Sequence, residues 1–124
     1  MQRIIAQIHP GLARIFLAGL LLQFYLAGIA LFGAGSFEPH RILGTALTVV
    51  AILFPVLALV GRLGRKLIGL SLLLLFLTLV QMLLPSLRGS APWIAALHPV
   101  NALALMGVSA LIRRNGRTKT LAVN

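Results

Sequence analysis

The sequence predicts an all-α integral membrane protein, an up-down bundle of four helices made of two repeated helical hairpins. Three observations carry this. Four uncharged apolar runs approach the length needed to cross a bilayer, the links between them are short, and the basic residues fall between the runs. Of the 124 residues 60% are hydrophobic and 10% charged, with a mean hydropathy of +1.05. A soluble domain of this size lacks the interior volume to hide so much apolar surface, so lipid is the solvent that the composition fits.

A spanning helix needs about 20 consecutive apolar residues. The first run, about 15–33, reads IFLAGLLLQFYLAGIALFG. A cleaved signal peptide is its rival reading, since Gly28 and Ala30 mimic a cleavage site, but the run is long for that purpose. The others are predicted at about 40–61, 67–86 and 93–112, with a basic, loose tail at 113–124. The dozen residues before the first run suggest a short interfacial helix carrying Ile4, Ile5 and Ile8 on one face, with His9 at headgroup level. Links as short as 33–39, 62–66 and 85–92 make neighbouring helices antiparallel.

The net charge is +10, with Glu38 the single acidic residue. A nucleic-acid binder would gather such charge in a patch. Here it punctuates apolar runs, so the partner is the lipid bilayer rather than nucleic acid. Arg3, Arg14, Arg62, Arg65, Lys66, Arg113, Arg114, Arg117 and Lys119 fall on one side of the predicted topology, and only Arg41 and Arg88 on the other. Cytoplasmic loops collect Lys and Arg. Both termini are therefore expected in the cytoplasm, with the chain in the inner (plasma) membrane. Cysteine is absent, which removes disulfides and thiolate chemistry. No nucleophile, base and acid set is visible, so a catalytic role has little to stand on.

The two halves echo each other. Gln23 is followed after 17 positions by His40, and Gln81 after 17 positions by His98. Each histidine has a small residue four places on, Gly44 and Ala102. Parallel repeats of this kind are related by an axis along the membrane normal, which would set both imidazoles across a central cavity. Stripes of small and polar residues (His40, Gly44, Thr48, Ala51, Pro55 and Ala58 on the second run, for example) are expected to face inward, and Ile42, Val49, Ile52, Leu53 and Leu57 to face lipid.

Polar groups inside spans are functional candidates. Histidine is a common axial ligand of haem iron, and His40 and His98 could ligate one haem from two sides. Gly44 and Ala102 would leave room for the flat ring, and Arg41 and Arg88 would meet its propionates. The plainer reading makes each histidine an interfacial residue or a helix-end group. Gln23 and Gln81 fit interhelical hydrogen bonding, with contact to a cofactor edge as the sharper alternative. Asn101 could fix a histidine tautomer or bond a neighbouring helix. Glu38 fits capping of the second helix.

Glu38-Pro39-His40-Arg41 followed by Gly44 resembles the Glu-x-x-His-Arg region of haem A synthase. Residues 81–104, with Ala95-Ala96-Leu97-His98 opening a helix, resemble the later histidine helix of one four-helix half of that family. The chain is also similar to small bacterial four-helix membrane proteins with the same two histidines. The resemblance covers about residues 15–112. It implies b-type haem (haem b) held between His40 and His98. The sequence departs in a Glu–His spacing one residue shorter, in lacking cysteines, and in lacking a second four-helix half. These departures argue against haem A synthesis and leave haem binding. The expected function is thus a small b-type cytochrome or haem-handling protein. The alternative is a non-catalytic accessory subunit of a larger membrane complex, and a homo-oligomer is a further option.

The charge asymmetry makes a direct prediction. A reporter that is active only in the cytoplasm should be active when fused after Asn124. Activity of an exclusively non-cytoplasmic reporter at that position would reverse the topology.

Overall fold

Helices in this chain start and stop where proline and glycine permit. The computed structural model describes the backbone of residues 1–123 and the side chains of residues 1–117. Helix α1 spans Gln2–Leu31, α2 Glu38–Val60, α3 Arg65–Leu83 and α5 His98–Val123, with a 3₁₀ turn at Leu84–Gly89 and a one-turn α4 at Pro92–Ala95 between α3 and α5. No strand occurs among the described residues. Gly33 (φ 74°) ends α1 and Gly64 (φ 91°) precedes α3. Both take the left-handed backbone that a side chain disfavours. Pro39 occupies the first turn of α2, where its missing N–H costs nothing. Glu38 beside it lies at the positive end of the helix and pairs with Arg41 at 3.3 Å.

The four long helices close a ring, α1 against α2 and α5, and α3 against α2 and α5. All four helical stretches are long and apolar enough to cross a membrane, as in a multi-pass membrane protein. Their shared core is lined by Ala13, Phe16, Ala51, Phe54, Ala58, Leu74, Leu105 and Ile112, each at most 1% exposed. Leu21, Ile42, Val49, Ile52 and Phe76 point outward. That inversion of the usual apolar-in pattern is what a lipid solvent allows. On α2 the small stripe is inside, as its spacing predicts, joined by Leu47 and Phe54. Gly19 faces Leu47 so closely that a Cβ there would lie 2.7 Å from the Leu47 side chain. Absence of a side chain therefore sets the α1–α2 approach.

Three sequence expectations are revised. The residues before Arg14 form no separate interfacial helix but are the first turns of α1, which runs unbroken through Pro10. Ile5, Ala6, His9, Pro10, Ala13, Phe16 and Leu20 recur every three or four residues and are all buried. They form one continuous inward stripe. His9, expected at headgroup level, is 0% exposed. Its Nε2–H donates to Ser71 Oγ at 3.1 Å, while the Ser71 hydroxyl donates to the Leu67 carbonyl at 2.7 Å. Its ring also meets Phe54 edge-on at 5.4 Å. The fourth run is not one helix from 93. It breaks at 96–97 and resumes at His98, because Pro99 has no N–H to give and restricts the residue before it. Finally, 115–123 is not loose, since α5 continues through Val123. Gly116 anchors it against Pro10, where a Cβ would lie 3.0 Å from the proline ring. The side chain of Lys119 and the terminal Asn124 lie outside the described residues.

The remaining buried hydroxyls are satisfied on their own helices. Thr78 donates to Leu74 O at 2.8 Å and Ser109 to Leu105 O at 2.7 Å. His9 is thus a cross-bundle polar link in an otherwise apolar half. His9→Ala should destabilise the protein by about 2–4 kcal/mol, combining a cavity with an orphaned hydroxyl acceptor. Ile52→Leu on the outward face should stay within about 0.5 kcal/mol. Thermal unfolding of both variants in one detergent checks this, and equal midpoints would show that His9 carries no packing role.

Candidate functional site: two histidines at one end of the bundle

The histidine heights are set by where helices begin. His40 is the third residue of α2 and His98 the first of α5. Had the last helix run on from Pro92, His98 would lie about 9 Å inside it at 1.5 Å per residue. The break at 96–97 removes that offset. The two imidazoles come together with ring centroids 6.1 Å apart and planes inclined by 60°.

Each ring is oriented in the same way. His40 Nδ1–H donates to the backbone carbonyl of Gln23 at 3.1 Å, and His98 Nδ1–H to that of Gln81 at 3.1 Å. A carbonyl oxygen can only accept, so the proton sits on Nδ1 and the lone pair on Nε2 in both neutral rings. This is the arrangement that second-shell contacts impose on metal-ligating histidines. His98 has additional support. The Gln81 side-chain amide donates to its Nε2 at 3.1 Å, and Asn101 Nδ2 donates to Gln81 Oε1 at 2.6 Å and to Leu77 O at 2.9 Å. Gln81 and Asn101 therefore tie α3 to α5. The amide of Gln23 is placed differently. Its Oε1 is buried without a hydrogen-bond partner, and its Nε2 occupies the space above Gly44, where a Cβ would lie 2.9 Å away. Gly44 thus makes room for Gln23 as well as lining the cavity.

Between the helices lies a cavity of about 430 Å³, mostly apolar, lined by both histidines and by Gln23, Gln81, Gly44 and Ala102 among others. Phe16 and Leu105 close its deep end from the core, with the Thr48 and Thr78 side chains also on the wall. The Thr48 hydroxyl donates to its own helix at Gly44 O, 2.9 Å away. Arg41 reaches the rim while paired with Glu38. Arg88 is exposed in the 3₁₀ turn and is not among the lining residues. Phe16, Phe24 and Met82 also line the cavity. Sequence spacing offered no signal for them beyond their place on apolar spans. Asn101 bonds the neighbouring helix, one of the two roles its place beside the His98 stripe suggested.

Two histidines alone do not hold a bare ion well, since transition metals in proteins usually take four or more ligands. Among the described residues no group of three or more His, Cys, Asp or Glu side chains is placed to hold one. The donor set suits a metal that brings its own equatorial ligands and needs only two axial ones.

Four long apolar helices around a two-histidine cavity define a helical protein of the multi-pass membrane class. Residues 23–87 match the model of a family of unknown function, DUF6220, and the chain belongs to that family. The matched segment contains Gln23, His40, Gly44 and Gln81 but ends before His98. No curated protein and no solved structure matches the chain.

The hydrogen bonds of Asn101 make a prediction. Asn101→Ala should cost about 1 kcal/mol, within the range of interhelical side-chain bonds in membranes. It should also weaken the hold on the Gln81 amide. Thermal unfolding measures the first effect. The second should appear as a changed His98 ring-nitrogen resonance in histidine-labelled protein, with that of His40 unmoved.

Proposed function

We propose that the protein is a small b-type cytochrome-like membrane protein that holds one haem between His40 and His98, serving electron transfer or haem handling. The observation that carries the reading is the paired geometry of the imidazoles. Their centroids are 6.1 Å apart. With metal–nitrogen bonds of about 2.0–2.1 Å, two imidazoles at that separation could both reach one metal. Both rings have the Nδ1–H engaged by a glutamine carbonyl, so Nε2 is the atom each would offer a metal, with that of His98 now accepting from the Gln81 amide. The cavity volume is in the usual range for cofactor sites, about 300–1,000 Å³.

A bound haem would supply one-electron chemistry at its iron. The chain's own part is to orient the ligands, exclude water and balance charge. Gln23 and Gln81 aim the rings. The Gln81 amide, which donates to His98 Nε2, would have to release that nitrogen to a metal, and its Oε1 bond to Asn101 does not stand in the way. Phe16, Leu20 and Leu105 supply an apolar wall, and Arg41 is the cation at the cavity rim. Arg88, exposed in the neighbouring turn, would have to swing inward to meet a propionate.

The reading treats the bundle as two repeated hairpins, each with a glutamine carbonyl bonded to a histidine 17 positions on. Charge asymmetry supports the plasma membrane of a bacterium, with both termini cytoplasmic and the histidine end facing out.

A reduced-minus-oxidised spectrum of protein expressed with haem supplied tests the proposal. The wild type should show the bands of a six-coordinate low-spin b-type haem. His40→Ala and His98→Ala should each lose them or convert to a high-spin form. A folded, monodisperse wild type without a haem band removes the proposal and favours an accessory subunit. Haem kept unchanged in both single variants would mean that other residues are the ligands.

A further inference from the structure

At the end of the bundle opposite the histidines, α5 carries a second feature. A cleft of about 410 Å³ lies along it, lined by Gly107, Ala110, Leu111, Arg113, Arg114 and Arg117. Its floor is small and apolar. A Cβ added at Gly107 would meet nothing within 4 Å, so this stretch of helix is open. Its rim is three guanidinium groups. We propose that this cleft binds an anionic phospholipid, its phosphate between Arg113 and Arg117 and an acyl chain along Gly107 and Ala110.

Charge complementarity selects that occupant. Glu38 is the only acidic side chain in the sequence, and it is paired with Arg41 at the histidine end. No carboxylate side chain of this protein can therefore neutralise Arg113 or Arg117, and the counter-charge comes from outside the chain. Depth selects lipid over an anion in solution. Ile5 packs against Gly61 at the α2–α3 turn, and Pro10 against Gly116. At 1.5 Å per residue, the Gly116 level is about 7 Å further into the bundle than that turn, and Arg113 about 4 Å deeper again. An arginine at such depth lays its stem along apolar surface and extends its guanidinium toward the headgroups. Guanidinium then binds phosphate with two parallel hydrogen bonds. The cleft thus offers a phosphate site at headgroup height and an acyl site directly below it. It uses no residue of the histidine cavity and stands whether or not haem binds there.

The test uses the full-length protein in neutral detergent. Thermal stability is measured with added phosphatidylglycerol, phosphatidylcholine or inorganic phosphate, and bound lipid is counted by native mass spectrometry. Phosphatidylglycerol should raise the midpoint and remain bound, while phosphatidylcholine and inorganic phosphate should do neither. Arg113→Gln with Arg117→Gln should weaken phosphatidylglycerol binding by about thirtyfold, taking about fivefold for each basic residue near an anionic surface. Gly107→Leu should weaken it with the charge unchanged. Equal binding of the two lipids by the wild type overturns the proposal, and that arm needs no variant to fold. Full competition by inorganic phosphate overturns it in favour of a free-anion site. Undiminished phosphatidylglycerol binding in folded double variant overturns it as well.

Discussion

With so few polar side chains and so much apolar surface, a buried polar group in this bundle has only the protein itself to look to for a partner. In hydrocarbon the alternative is an unsatisfied group costing several kcal/mol. The structure meets that demand in two ways. Hydroxyls turn back to their own helices, as Ser71, Thr78 and Ser109 do. Imidazoles and amides reach across, as His9 does to Ser71 and Asn101 to Gln81. The cross-helix set is small and is divided between the two ends of the bundle. Each end thereby acquires its own character.

At the His9 end the polar link is enclosed by aromatic and aliphatic packing. Phe54 is the common element, meeting His9 at 5.4 Å and Phe16 at 5.6 Å, both edge-on. That end is a closed core. At the other end the glutamine carbonyls orient two imidazoles that flank a cavity. Two buried polar side-chain atoms lack a hydrogen-bond partner among the described residues, the Gln23 amide oxygen beside the cavity and His9 Nδ1 in the core. The histidine end thus keeps a cavity where the His9 end is filled by packing.

Proline placement links the two ends. Pro99 permits the restart at His98, beside His40. Pro10 lies in the middle of an apolar stripe and seats Gly116 of α5. Had α5 begun at Pro92, its phase against α1 would differ along its whole length. The level of the histidines and the anchoring of the arginine-bearing end of α5 are two consequences of one chain break.

The sequence by itself determined the all-helical class, the four long apolar helices, the inward stripe of α2 and the repeated spacing of Gln23–His40 and Gln81–His98. Hydropathy and helical periodicity are local properties, and these features depend on nothing else. Several things depended on the tertiary structure. His9 looked like a headgroup residue because a histidine before a proline near a terminus carries no local sign of burial. Only packing against Phe54 and Ser71 shows that it continues the Ile5–Leu20 stripe. The extension of α5 to Val123 was hidden because Asn115, Gly116, Thr118 and Thr120 lower both local hydropathy and helix propensity. The contact of Gly116 with Pro10 supplies the reason to stay helical. Arg88 shares a side with Arg41 in sequence, yet the 3₁₀ turn points it away from the cavity wall. The matched heights of His40 and His98 follow from a helix start that Pro99 permits and that only packing in three dimensions selects.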